Sequence, residues 1–206
     1  MRVDNTLTLD WTDTAKCLLN NLFPYDNENN DTAEQKIDRL NQNITPDGIT
    51  PNFTFRELSD ALAKMKHRKA PGPDSFDLAI VTAAMPTISM YLLDIYNSCL
   101  KFGVFPNEWK VGQVVTIRKK SDNVPTDPAS YRPICLLPIL GKLLESIILK
   151  KLNKLIDHKL SNSQYGFRVG KSTEDAIVKF RKIIKDSNSK YFLAVFFDIK
   201  GAFDNV

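Results

Sequence analysis

Cysteine and histidine are scarce in this chain: Cys17, Cys99 and Cys135 lie far apart, and the two histidines do not cluster with them. An odd, scattered set builds neither a disulfide framework nor a zinc site, and it fits a reducing compartment. No basic N-terminal region is followed by the apolar stretch that a secretory signal needs. No uninterrupted apolar run is long enough to span a bilayer. Secretion and membrane insertion are therefore unsupported, and an intracellular setting, nuclear or cytoplasmic, is expected. Internal repeats are also lacking.

What remains is a chain of 206 residues, 43% hydrophobic and 25% charged, long enough to bury a core in one domain or in a domain with an appendage. The net charge of +4 conceals an asymmetry. Residues 1–60 hold 5 Lys and Arg against 11 Asp and Glu, a balance of −6, whereas residues 61–206 hold 23 against 13, a balance of +10. An acidic leader on a basic body suits a body that meets a polyanion, and it suits a solvated lysine-rich surface equally well.

Residues 10–23 carry a helical pattern through Ala15, Leu18, Leu19 and Leu22, with Thr12 or Asp13 as cap. The polar stretch from Pro24 to Pro51 reads as a linker, partly helical at 32–40 and with Ile44 and Ile49 among its few apolar positions. Thr54 and Glu57 form a capping box, Phe53 can staple onto Leu58, and the basic run Lys64 to Lys69 is expected to close that helix. The turn Ala70-Pro71-Gly72-Pro73-Asp74 follows, either as a plain helix stop or as a fixed loop for a phosphate backbone. Two helices are expected next, about 76–84 and 87–102. Gln113–Ile117 and Tyr131–Leu136 read as strands of a long-tipped hairpin with basic residues near its tip.

Pro138 opens the most periodic helix, through Leu140, Leu143, Leu144, Ile147, Ile148, Leu152 and Leu155, predicted to be a core helix. The loop Gln164-Tyr165-Gly166-Phe167-Arg168-Val169-Gly170-Lys171 is punctuated by glycine, but its spacing is not that of a P-loop. Its aromatics suit stacking on bases or packing into the core. Ser172 or Thr173 caps a last helix through Ile177, Phe180, Ile183 and Ile184. The apolar run Tyr191–Phe197 is predicted to be a buried strand, ending in Asp198. A carboxylate at a strand end can hold a hard cation, and nucleotidyl transfer uses two such ions, but a single aspartate cannot hold both.

Four stretches, in order and spacing, resemble the reverse transcriptases of non-LTR (LINE-type) retrotransposons: Lys69-Ala70-Pro71-Gly72-Pro73-Asp74, Tyr131-Arg132-Pro133-Ile134 with Leu136-Leu137, Gln164-Tyr165-Gly166-Phe167-Arg168 with Ser172-Thr173, and Phe197-Asp198-Ile199-Lys200-Gly201-Ala202-Phe203-Asp204. The last looks most like insect-type elements. The resemblance implies an α+β fold, an incomplete right-hand polymerase of fingers plus the start of the palm, mainly helical with a fingers β-hairpin. Residues 1–52 would be an acidic leader and 53–206 a partial reverse transcriptase domain that stops within the palm.

By matching position, the resemblance makes Asp198 the first catalytic, metal-binding aspartate, with the Ile199 carbonyl as a further ligand for Mg²⁺. Phe203 would crowd a ribose 2′ hydroxyl, and Lys119 and Arg132, facing each other across the hairpin, would hold the incoming deoxynucleotide triphosphate. Pro71, Gly72, Asp74, Gly166, Phe167 and Arg168 would lie along the template, and Asp204 would cap a following helix. The implied partners are an RNA template, a DNA primer and deoxynucleotide triphosphates, with no membrane.

The sequence departs from the family pattern in placing Ser75 where glycine is usual and Lys120-Ser121 where Pro-Gly usually follows the lysine. The second palm motif, an aromatic-Ala-Asp-Asp hairpin, is not found. The expected function is an RNA-directed DNA polymerase domain inactive by itself; the alternatives are a nucleic-acid-binding module without catalysis or a decayed remnant.

Overall fold

The computed structural model describes residues 1–3, 6–23, 28–40, 51–120 and 124–198. Ile44, Ile49, Ile199, Phe203 and Asp204, which have roles or positions in the sequence reading, lie outside these. Two compact units divide the chain, one covering residues 1–148 and the other 149–202.

The first unit opens with a two-residue ladder, β1 (Arg2–Val3) against β2 (Thr6–Leu7). Helix α1 (Trp11–Leu22) follows, and Asp10, not Thr12 or Asp13, caps it by accepting the Asp13 N–H at 2.8 Å. Helix α2 (Ala33–Leu40) falls inside the polar stretch. Helix α3 (Phe55–Ala63) starts on the Thr54–Glu57 capping box that the sequence predicts. It stops before the basic run: Lys64 is its C-cap, and Arg68, with φ +58°, cannot belong to a helix. The lysines therefore lie beyond the helix end and not in its last turn.

Where the sequence suggests two helices, there is one, α4 (Leu78–Phe102), with Pro86 inside it. Pro86 has no N–H for the Thr82 carbonyl, a defect of about 3 kcal/mol. Each large apolar side chain buried contributes roughly 1.5–3 kcal/mol. Leu78 and Val81 before the proline and Leu92 and Leu93 after it are all buried, so burial on both sides outweighs the break. This helix also corrects the reading on apolar runs, because it has the length and mean hydropathy, 1.6, of a membrane-crossing segment. A mostly buried core helix passes the same test; this window is 28% buried, and α4 supplies Leu92, Leu93 and Tyr96 to the main core.

That core joins Phe53, Leu58 and Ala61 with Leu92, Leu93 and Tyr96 of α4 and with Leu143, Leu144 and Ile147 of α6 (Ile139–Ile156). Tyr96 is fully buried and donates its hydroxyl to the Leu140 carbonyl at 2.7 Å. Burial drives its phenol far above the ordinary value and also raises the neighbouring Cys99 thiol. Trp109, in the single-turn helix α5 (Asn107–Lys110), meets the Tyr96 ring edge-on at 5.7 Å. Gly141 lets α6 come close: a Cβ there would lie 2.9 Å from that of Trp109. The core face of α6 ends at Ile147, since Ile148, Leu152 and Leu155 are exposed.

The predicted hairpin is present as β3 (Gln113–Arg118) and β4 (Tyr131–Leu136), antiparallel from Gln113 opposite Leu136 to Arg118 opposite Tyr131. Helix α1 packs on the short turn 128–130 at its tip.

In the second unit, helix α7 (Thr173–Asp186) is capped by Ser172, which forms a capping box with Asp175. The predicted terminal strand is not a strand: residues 191–198 belong to no ladder, and Leu193 and Phe197 are 87% and 92% exposed. A strand is stabilised through a partner's hydrogen bonds. Among the described residues β3 and β4 pair only with each other, so none supplies a partner. The two-residue alternation survives nonetheless, because Phe192 and Phe196 both meet the Phe180 ring of α7, at 5.8 and 5.9 Å.

Candidate nucleic-acid interface

The hairpin ladder fixes where its basic residues stand. Arg132 lies opposite Ile117, and the Lys119 N–H continues the ladder to the Ser130 carbonyl at 2.8 Å. Lys119 and Arg132 are therefore diagonal neighbours on one face instead of a facing pair. Arg132 is exposed, while the Lys119 ammonium turns back to donate to the Ala129 carbonyl at 2.6 Å. Other bonds brace the tip: buried Ser130 donates its hydroxyl to Val124 O at 2.8 Å, and Asp127 accepts the Ala129 N–H at 2.9 Å.

The Pro71–Asp74 turn rests on the exit of this hairpin. Gly72 is buried there, and a Cβ on it would stand 2.6 Å from both Leu137 C and Pro138 N. Its role is close backbone packing, which joins the first and second sequence motifs. Pro71 is exposed, Asp74 accepts the Phe76 N–H at 3.2 Å, and Ser75 sits at φ +61°, the left-handed region that glycine favours. Around this turn a groove of about 110 Å³ is lined by Lys66, Lys69 and Lys142 together with Asp77. Lys142 is a member of this basic group that sequence reasoning missed, since it lies far along the chain and looks like an ordinary surface lysine of α6.

In the second unit, Arg168 organises the Gln164–Lys171 loop. Its guanidinium donates to the Asp157 carboxylate at 2.7 Å and to the Ser161 carbonyl at 3.0 Å. The Lys171 and Lys179 ammoniums lie 5.1 and 5.9 Å from the centre of the half-buried Tyr165 ring. Lys171 also donates to Asn162 O at 2.6 Å, and Lys179 to Ser163 Oγ at 2.8 Å. Phe167 does not pack into a core; it is 100% exposed at φ +58°. Gly166 is exposed, and a Cβ on it would meet nothing within 4 Å.

Asp198 is exposed at the end of the extended segment 191–198. No group of three or more His, Cys, Asp or Glu converges on a metal position among the described residues. The sequence-predicted residues thus fall in both units: Pro71, Gly72, Asp74, Lys119 and Arg132 in the first, and Gly166, Phe167, Arg168 and Asp198 in the second.

Residues 117–206 match the reverse transcriptase (RNA-dependent DNA polymerase) family. Over the whole chain, identity is 38% to the retrovirus-related Pol polyprotein from type-1 retrotransposable element R1 of Bradysia coprophila, 20% of which is covered. It is 34%, again over the whole chain, to the putative 115 kDa protein in type-1 retrotransposable element R1DM of Drosophila melanogaster, with 19% of that protein covered. The RNA-directed DNA polymerase from mobile element jockey of Drosophila melanogaster is 34% identical over 74% of the chain, which covers 17% of it. The chain thus spans about a fifth of the length of these relatives. Motif order, the hairpin between the first and third motifs and similarity along the entire chain agree: residues 117–206 belong to the reverse transcriptase family, and the chain as a whole is similar to polymerase proteins of non-LTR retrotransposons.

Proposed function

We propose that this chain forms the fingers and the start of the palm of a right-hand RNA-directed DNA polymerase. In a complete protein it would help copy an RNA template from a DNA primer using deoxynucleotide triphosphates. The observation that carries this reading is the similarity of the whole chain to proteins of R1 elements. The setting is intracellular, and α4 acts as a core helix, in keeping with Tyr96 and its neighbours in the main core.

Arg132 presents a planar fork suited to phosphate oxygens, and Lys119 a point charge on the same face. Lys119 would exchange its bond to Ala129 O for one to the triphosphate. At the first motif, Gly72 gives the turn its shape, while Pro71, Asp74 and the lysines around them form the surface offered to the template. Gly166, Phe167 and Arg168 form a second template surface. Phe203 is assigned to the ribose side of the nucleotide by resemblance alone.

The family generally uses divalent metal ions. One exposed carboxylate, Asp198, with no converging group of ligands among the described residues, does not fit a pair of such ions. Asp198 and the Ile199 carbonyl are therefore assigned only as part of a site that further carboxylates would complete. Accordingly, the purified 206-residue chain is expected to show no primer extension on an RNA template with Mg²⁺ and deoxynucleotides, and robust synthesis would overturn that expectation. The balance of +10 over residues 61–206 also suits a second reading, nucleic-acid binding without catalysis. Filter binding across a salt series tests it: affinity should fall steeply as salt rises, and absence of binding at low salt refutes it.

A further inference from the structure

We infer that Phe167 is a stacking platform for an unpaired base of single-stranded nucleic acid. This rests on the template reading of the Gly166–Arg168 loop and adds to it the contact made and the kind of strand bound. Three observations carry it. First, the Phe167 ring is 100% exposed and Val169 98% exposed, so these two side chains make no use of this unit's own packing. Second, the ring is held out on a backbone at φ +58°, a region that bulky residues rarely occupy. Backbone strain of this kind persists when surrounding bonds fix it, and it clusters where ligands bind. Here the fixing group is Arg168, whose side chain is only 10% exposed and is bonded to Asp157 and Ser161.

Third, the surroundings are cationic. Lys171 of the loop and Lys179 of α7 lie over the ring of Tyr165, two residues before Phe167, and the unit from 149 to 202 holds 12 Lys and Arg against 5 Asp and Glu. A projecting aromatic ring beside a basic surface is the arrangement by which proteins hold single strands without reading sequence. A double helix keeps its bases stacked on one another, so the ring selects a strand whose bases are free. An apolar protein surface would gain the ring but not the positive charge of this unit, and charge therefore favours nucleic acid.

The test uses the 206-residue chain, a fluorescein-labelled unstructured single-stranded RNA and, as a polyanion without bases, heparin. Phe167→Ala is expected to lose about tenfold in RNA affinity by anisotropy, with heparin binding unchanged and Phe167→Tyr close to the parent. Phe167→Trp, read as a difference from the parent's own tryptophans Trp11 and Trp109, should be quenched by RNA and not by heparin. Far-UV circular dichroism checks that each variant folds. If RNA binds normally while Phe167→Ala is unaffected and Phe167→Trp is not quenched, the stacking proposal fails and the template reading survives. If the parent chain binds no RNA at low salt, both fail. Concentration-dependent self-association removed by Phe167→Ala, with RNA affinity unchanged, would assign the ring to protein contact and overturn the proposal.

Discussion

The side-chain amide of Asn97 grips the Phe53 peptide by both its polar groups: Oδ1 accepts the Phe53 N–H at 2.6 Å, and Nδ2 donates to the Phe53 carbonyl at 3.3 Å. The pair anchors the chain just before α3 to the C-terminal part of the long helix α4. Each bond contributes about 1 kcal/mol net. Asn97→Ala should therefore lower unfolding stability by about 2 kcal/mol in a urea titration, and an unmoved midpoint would show that the clamp is not formed in solution.

Two glycines assigned to the template should respond unequally to a methyl group. At Gly72 the new Cβ would overlap backbone atoms of Leu137 and Pro138, which no side-chain rotation can relieve. Gly72→Ala is expected to cost about 1–3 kcal/mol or more through overpacking. Gly166→Ala meets nothing within 4 Å and should leave the thermal midpoint nearly unchanged. Equal effects at the two positions would contradict the packing described here.

Ser75 stands where the family usually has glycine, and its φ of +61° gives the physical reason for that preference. A side chain in this conformation costs roughly 1–2 kcal/mol. Glycine gives back roughly 0.5–1 kcal/mol through the freedom it adds to the unfolded chain. Ser75→Gly should therefore stabilise the chain by up to about 1 kcal/mol. A loss of stability on this substitution would mean that the turn is held in some other way.

Asp175 accepts hydrogen bonds from the Ser172 hydroxyl and the Ser172 N–H, and these lower its pKa below the ordinary 3.8, with a smaller contribution from Lys171. A carboxylate whose folded pKa is depressed contributes stability above its unfolded value and loses it as pH falls through the folded value. The destabilisation caused by Asp175→Asn should accordingly be full at neutral pH and shrink at pH below 3.8. An NMR titration of the Asp175 carboxyl should show a midpoint under 3.8, and a midpoint at or above it would contradict the capping box.

What the sequence made legible was local. The Thr54–Glu57 box and the Ser172 cap could be read because each depends on residues three positions apart, and the hairpin because its two strands follow one another within 23 positions. What it hid depends on neighbours remote along the chain. Pro86 looks like a boundary until Leu78, Val81, Leu92 and Leu93 are seen to be buried on either side of it. The Tyr191–Phe197 run has the composition of a strand, but no partner strand is present among the described residues. Of the candidate site, the basic residues at the hairpin ends were readable, but their diagonal placement was not, because it depends on the register of the two strands. The packing role of Gly72 was not, because the peptide it touches is about sixty-five positions away.

The groove beside that glycine offers a direct reading of whether the first motif meets phosphate. Lys66 and Lys69 are exposed at its edge, outside any helix, so removing their charges should not disturb the fold. If each neutralises one phosphate of a single strand, the plot of log affinity against log salt carries about 0.7 of slope from each. The double variant Lys66→Ala, Lys69→Ala should therefore bind single-stranded RNA with a slope shallower by about 1.4. Affinity should fall most at low salt, where released counterions matter most, and by a similar factor for unrelated sequences, because phosphate contacts read no bases. A slope identical to that of the parent would move the phosphate contacts elsewhere on the basic body and leave the Pro71–Asp74 turn with packing as its whole role.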